Sequence, residues 1–535
     1  MEISLGGETI SIPEPRTCAF HTRWLRWCMR NERHLYRSRC AKSGKSLISH
    51  LAPESAYQVI DQQLWWDLSW DGTEYGRNFD FSRPFFPQFK ELMLAIPHPN
   101  LLNVTGTNEN SDFAHCTSNI KNCYMVFDVA ACEDTLYTEI ATESRSCIDC
   151  TNIANCELCY DCIDSVRCYQ ARTLIQCDGC SDSSFLYDCK GCQHCFMSAG
   201  LRNRSYVWYG EQLTPSQYDA RLKEIPCTAR SHYDSLRQEF FDRIYEAPRR
   251  AAFLTSCEES LGNNLVSCKE ATHCFDATNL ENCAHAVSVN NAKDCLHIEH
   301  TYIAELSYQV MASTSIYHTL FSAYPINTTD VYYSYLVSNA RSCFGCAGLK
   351  KQEHCILNQR YTKQEYEALT KRIIAHMQET GEWGSFFPLD LSPFPYNDTL
   401  AHLIEPQDRA FTEQHGGFWR EASPSYATST DAQITPEHLP PREPAEALQA
   451  LTFSPYRCAI SSRLFKLTRQ EIQLYHAIEV PIPDKHPDER YFERNSLRGT
   501  RTLQHRSCAT CGTGVMTPYD FGAVLCDPCY LKEVR

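Results

Sequence analysis

The stretch Cys147-Ile148-Asp149-Cys150-Thr151-Asn152-Ile153-Ala154-Asn155-Cys156-Glu157-Leu158-Cys159-Tyr160-Asp161-Cys162 lies inside a longer run, Cys116 to Cys195, that holds fourteen cysteines. The cysteine groups fall at Cys123, Cys132, Cys147 with Cys150, Cys156 with Cys159 and Cys162, Cys168, Cys177 with Cys180, and Cys189 with Cys192 and Cys195. Most steps between groups are about 9 to 12 residues, a strand plus a turn, and a fixed period of that kind marks stacked coils. Two steps per coil predict coils of roughly 20 residues, about four in the run. β-prone segments such as Tyr124-Met125-Val126-Phe127 and Thr173-Leu174-Ile175 separate the groups, and helical periodicity is absent. A β-solenoid (parallel β-helix) is expected.

Cysteine suits a narrow coil interior because it is small and readily buried. The rival roles are zinc or iron-sulfur ligation through pairs such as Cys147/Cys150 and Cys177/Cys180, or disulfides. Histidine neighbours such as His194-Cys195 would offer mixed ligands, but adjacent strand residues point to opposite faces.

The same architecture recurs downstream. Cys195-Phe196-Met197-Ser198-Ala199-Gly200-Leu201 and Thr214-Pro215-Ser216-Gln217-Tyr218 reappear as Cys343-Phe344-Gly345-Cys346-Ala347-Gly348-Leu349 and Thr362-Lys363-Gln364-Glu365-Tyr366 at a constant offset of 148. Each copy ends in a capped helix, with Pro215 at a first helical position and Glu365 completing a capping box. The second copy is richer in tyrosine (Tyr302, Tyr308, Tyr317, Tyr332, Tyr333, Tyr335), as though aromatic rungs replace thiol rungs.

The 535 residues carry a net charge of -15, which argues against binding polyanions along the whole chain. Neither a signal-peptide pattern at Met1 to Arg16 nor an 18-residue apolar run is present. No membrane partner and a cytoplasmic location are expected, where thiols stay reduced.

The sharpest chemical signal is Cys508-x2-Cys511 and, fourteen residues on, Cys526-x2-Cys529. Four thiolates in two such pairs match tetrahedral zinc with no position open to substrate, hence a structural site in a zinc ribbon or treble clef. With an offset of 468, Cys40-Ala41-Lys42-Ser43-Gly44 overlies Cys508-Ala509-Thr510-Cys511-Gly512. Ser43, Asp61 and Leu64 then stand where three ligands would, so the N-terminal copy is expected to be metal-free. Cys18 overlies His486, and Cys458 lies upstream, a hint of a second metal site.

The chain is therefore expected to be mainly β with flanking helices: two duplicated cysteine-rich β-solenoid domains with zinc modules at the ends. The stretches are a degenerate zinc-ribbon-like module (1-70), an aromatic segment capping the first coil (71-100), the first solenoid with its closing helix (101-225) and a helical connector (226-256). The second solenoid with its closing helix (257-380), an extended linker (381-450) and the C-terminal zinc module (451-535) follow.

Glu74-Tyr75-Gly76-Arg77, Phe79-Asp80-Phe81-Ser82-Arg83-Pro84-Phe85-Phe86, Cys355-Ile356-Leu357-Asn358-Gln359, Glu382-Trp383-Gly384 and Cys526-Asp527-Pro528-Cys529-Tyr530 complete a pattern covering nearly the whole chain. It resembles a family of uncharacterised cysteine-rich zinc-ribbon or treble-clef proteins, encoded widely in small-genome candidate-phylum (Patescibacteria-type) bacteria. That resemblance implies zinc modules and carries no activity.

A zinc-binding, non-enzymatic scaffold for a protein partner is the leading expectation, since a long repeated surface is the usual design of a binding platform. Nucleic-acid binding is the alternative, through terminal arginines (Arg23, Arg26, Arg30, Arg33, Arg37, Arg39; Arg490, Arg494, Arg498, Arg501, Arg506), set against helices with a buried Trp face and solvated arginines. A metal-dependent enzyme is the third reading, from Cys295, His297, Glu299 and His300, where alternation would put the first three on one strand face.

Overall fold

The computed structural model describes residues 2–5, 7–13, 19–31, 33–67, 70–225, 227–421, 432–440, 445–499 and 501–534. They are mainly β, with helices at the ends and between two long sheets. The first sheet spans the cysteine run, and almost every strand pairs in parallel with its successor. Thr151 opposes Ile163, Ile163 opposes Ile175, Leu174 opposes Leu186 and Leu186 opposes Ser198. The chain thus returns to the same line every twelve residues, which corrects the expected step of roughly 20.

The reason lies in the backbone. Asp149, Asn152, Asn155, Leu158, Asp161, Asp164, Arg167, Gln170, Thr173 and Gln176 all have φ between 48° and 57°, so every third residue is left-handed. Asn and Asp, half of this series, tolerate that conformation best among side chains with a Cβ. A left-handed residue in each triplet resets the side-chain direction, so the inward position recurs every three residues rather than every two. Cys147, Cys150, Ile153, Cys156, Cys159 and Cys162 accordingly share one interior, which takes in every cysteine from Cys123 to Cys195. Cys116 is itself left-handed, with φ 55°, and stands outside that series.

The interior thiols have partners. Cys147 Sγ lies 3.3 Å from Arg145 O and 3.5 Å from Cys156 O, and Cys159 Sγ lies 3.4 Å from Glu157 O and 3.5 Å from Cys168 O. Ser165 fills one such position, its hydroxyl donating to Ile163 O at 2.9 Å and accepting from Cys177 N at 3.2 Å.

The second sheet starts with a step of eleven, Leu254 opposing Leu265, shifts register between Leu261 and Gly262, and then runs in twelves, as in Ile298 opposing Val310. Its interior holds Cys274, Ala277, Ile298, Ala304, Val310 and Ile316. Tyr332, Tyr333 and Tyr335 lie outside it, packed with Phe85, Phe89 and Phe387. Aromatic rungs therefore do not replace thiol rungs; small aliphatic and hydroxyl side chains do, because the interior is too narrow for a ring.

Leu201 and Leu349 are both buried among interior residues. Each sheet then closes with a short antiparallel pairing, Val207 opposing Gln212 and Cys355 opposing Arg360. The helices Pro215–Lys223 and Lys363–Thr380 follow, each with a capping box, from Thr214 and Gln217 and from Thr362 and Glu365.

The chain forms two compact units, each built from two separate segments. One is Met1–Leu102 with Ala252–Glu421, the other Asn103–Ala251 with Ala422–Arg535. The N-terminal module thus belongs with the second sheet and the C-terminal module with the first. In the former unit the helix Phe85–Ala95 packs on the second sheet, with Phe85 5.6 Å from Phe344 and 5.5 Å from Tyr333 between ring centroids. The aromatic segment expected to cap the first coil is thus grouped with the second sheet. Glu382 anchors the start of that helix by accepting from Phe85 N at 2.8 Å and Phe86 N at 2.7 Å, which accounts for the Glu382-Trp383-Gly384 motif. Residues 381–421 are not an extended linker either, since Leu391, Phe394, Tyr396 and Ala401 are buried. The rest of the expected linker includes 422–431 and 441–444, outside the described residues.

Candidate metal centre

The strands Gln504–Ser507 and Gly514–Thr517 form a hairpin whose turn carries the first cysteine pair. Cys508 N donates to Thr513 O at 2.8 Å and Gly512 N to Cys508 O at 2.9 Å, and Gly512 takes φ 74°, where a Cβ is strained. Ala509 N donates to Val524 O at 2.9 Å and so ties the turn to the strand Val524–Leu525. That strand delivers Cys526 as the N-cap of the helix Asp527–Glu533, with Cys529 in its first turn. Both pairs converge: all four Sγ atoms lie within 4.8 Å of one another, and Cys511 and Cys526 are 3.6 Å apart. Tetrahedral zinc with 2.3 Å bonds needs sulfurs about 3.8 Å apart.

The electrostatics agree. Backbone N–H groups of Cys511 and Cys526 pull the Cys508 thiol down to about 6, while the Cys526 and Cys511 sulfurs push Cys529 up to about 12. Four sulfurs this close cannot all ionise beside one another unless a cation stands among them. Cys508 and Cys529 are buried, Cys526 is half-buried and Cys511 is exposed. The Cys508, Cys511, Cys526, Cys529 group can hold a metal ion with every position filled by protein.

Contacts within its unit fix the centre in place. Arg249 pairs with Val524, Arg250 makes a bidentate ion pair with Asp527 at 2.7 Å for both bonds, and Tyr530 donates to Asp188 of the first sheet.

The N-terminal module repeats this backbone. Cys40 N donates to Lys45 O at 2.9 Å, Gly44 N to Cys40 O at 2.8 Å and Ala41 N to Val59 O at 2.8 Å, while Asp61 caps the helix Gln62–Trp66. Cys40 Sγ accepts from Ser43 N and Asp61 N, both at 3.4 Å. Ser43, Asp61 and Leu64 occupy the other ligand positions, and Trp65 is buried with its indole N–H donating to Pro97 O at 3.1 Å.

The hinted second site at Cys458 and His486 is a third instance of the same backbone. Cys458 N donates to Arg463 O at 2.9 Å, Ser462 N to Cys458 O at 3.1 Å with Ser462 at φ 58°, and Ala459 N to Asp484 O at 3.0 Å. His486 stands at the N-cap position of the helix Pro487–Ser496 as Cys526 does in its own helix. Cys458 and His486 therefore match Cys508 and Cys526, with Ser461 and Glu489 in the remaining places. The shared Cys-Ala at 40, 458 and 508 is the available signal. Cys18 lies outside the described residues.

The terminal arginines do not form one solvated face. Arg23, Arg26, Arg30, Arg490 and Arg494 are buried. Arg490 and Arg494 both bind Asp149, the latter at 3.1 Å, and Arg498 binds Asp164 at 2.9 Å. Arg37 and Arg39 are exposed.

The enzyme set does not converge. Triplet spacing turns Cys295 into the interior and leaves His297 and Glu299 on the outer wall. There His297 stacks on His285 at 4.7 Å and 6°, and burial with Arg26 nearby holds its imidazole down to about 2. The His300 side chain lies outside the described residues.

Compared with known proteins, the chain matches no protein-family model and no curated protein sequence. Among the described residues, no helix is long and apolar enough to cross a membrane.

Proposed function

We propose that the protein is a zinc-stabilised, non-enzymatic scaffold: two duplicated, four-sided β-solenoids that bind a protein partner along their repeated outer walls. The single observation that carries this reading is the twelve-residue register, which stacks outward side chains in straight rows on a rigid frame, as in Glu305, Tyr317 and Thr329. Each row is fixed by the ladder rather than by a mobile loop, the arrangement that extended binding surfaces use. The Cys508/Cys511/Cys526/Cys529 centre supplies four protein ligands and no open position, a structural role. Its second pair opens a helix instead of a second turn, which favours the treble-clef form over the ribbon and accords with the candidate-phylum resemblance. A cytoplasmic location fits interior thiols that donate to carbonyls as unoxidised S–H groups.

Ile303 and Tyr317, exposed apolar side chains on successive strands of the second sheet, test the reading. A partner captured from native lysate by the full chain should be lost with Ile303→Asp/Tyr317→Asp while thermal stability is kept. Recovery of the chain alone, or retention of every bound protein by the variant, counts against a partner on this wall.

A further inference from the structure

The hairpin of the N-terminal module, Tyr36–Arg39 against Ser46–Ser49, gathers positive charge that its cysteine-bearing counterpart lacks. Between Arg33 and Pro53 the sequence holds no aspartate or glutamate, in a chain whose net charge is -15. Arg37, Arg39, Lys42 and Lys45 are all exposed. Arg37 and Arg39 lie opposite Ile48 and Ser46, so they share one face of the ribbon, about 6.7 Å apart along the strand. Lys42 and Lys45 follow in the turn. Among the described residues no ion pair holds Arg37 or Lys45, and Arg39 donates to Gly44 O at 3.4 Å. Carboxylates that contact the hairpin are already engaged. Asp61, whose N–H donates to Cys40 Sγ, accepts from Gln63 N at 2.8 Å, and Asp398, bonded to Tyr36, takes the guanidinium of Arg420 at 3.0 and 3.1 Å.

The C-terminal copy supplies the contrast. The same register places His505, Ser507, Thr510 and Thr513 where the four cations stand, and its one arginine, Arg506, closes onto the carbonyls of Tyr519, Phe521 and Gly522. The backbone therefore forms without these charges, and folding does not account for them. Around the cations the exposed residues are Ala41, Ser43, Gly44 and Ser46, while Leu47 packs inward. Without an aromatic or apolar anchor, the tip lacks what holds a protein partner. Two guanidinium forks and two ammonium groups are what a run of phosphates takes.

The geometry points to a docking surface for the phosphodiester backbone of a nucleic acid, formed by Arg37, Arg39, Lys42 and Lys45 and indifferent to base sequence. It goes beyond the scaffold reading and does not depend on the metal centre.

Fluorescence anisotropy of the full chain with a labelled DNA duplex, and with one of its strands alone, tests the surface. Saturable binding is expected at about 50 mM salt. Four phosphate contacts set a slope of about -3.6 in log K against log salt on the duplex, so affinity should fall roughly 100-fold by about 200 mM. Arg37→Gln with Arg39→Gln, Lys42→Gln and Lys45→Gln should weaken binding ten-fold or more and keep the thermal midpoint, since all four side chains are exposed. A control with the same charge change at exposed Lys121, Lys223, Lys269 and Lys363 should bind as the parent does. Tighter binding of the duplex assigns paired nucleic acid and tighter binding of the strand assigns unpaired, and either supports the surface. Absence of binding at low salt, equal loss in the control, or displacement of DNA by polyglutamate at equal charge overturns it.

Discussion

Arg26 and Glu299 meet 3.6 Å apart with neither side chain exposed to solvent, although 273 positions separate them in sequence. The pair seats the helix Ala19–Cys28 on the outer wall of the second sheet, beside His297. The other unit uses the same device: Arg494, at the position equivalent to Arg26, reaches Asp149 and Thr151 of the first sheet. Buried arginine against sheet carboxylate is how each terminal module is held to its own sheet.

Breaking such a pair from one side strands a buried charge. Arg26→Met should destabilise the protein by about 3–5 kcal/mol in urea unfolding, whereas Arg26→Met with Glu299→Met should return most of that loss. A single substitution costing under about 1 kcal/mol would mean that the pair does not seat the helix.

The interior thiols act by size and by S–H donation. Cys159→Ser should cost no more than about 1–2 kcal/mol, because Ser165 shows that a hydroxyl finds the same carbonyl, while Cys159→Leu should cost more through overpacking. Neither should change metal content. Loss of metal on replacing Cys159 would assign the interior a ligand role.

The histidine stack gives the stability a pH dependence. Burial first, then neighbouring charge, lowers His285 to about 4 and His297 to about 2 in the folded chain. The unfolded chain binds these protons near 6.5, so stability is full above that pH and declines as pH falls toward 4. Urea midpoints should drop between pH 6.5 and 4.5, and drop less in His285→Gln with His297→Gln. Equal slopes for parent and variant would exclude the stack as the cause.

The triplet period is written in the sequence: the cysteines from Cys123 to Cys195 are all separated by multiples of three. It goes unread because ordinary strands alternate every two residues, and because left-handed Leu158 or Thr173 costs energy that only the assembled ladder offsets. The metal centre is legible because its pairs are local and Gly512 marks the turn. The Cys458 turn is obscured by the loss of two ligand types, and the burial of Arg494 by a partner, Asp149, that only the fold brings near.

Metal per chain, measured by elemental analysis of the purified protein, tests the four-thiolate centre most directly. One zinc per chain is predicted, abolished in Cys508→Ser together with local loss of structure after about residue 485 and retained in Cys159→Ser. Absence of zinc, its persistence in Cys508→Ser, or several zincs per chain would contradict the closed four-thiolate centre and the reading of the interior cysteines as packing.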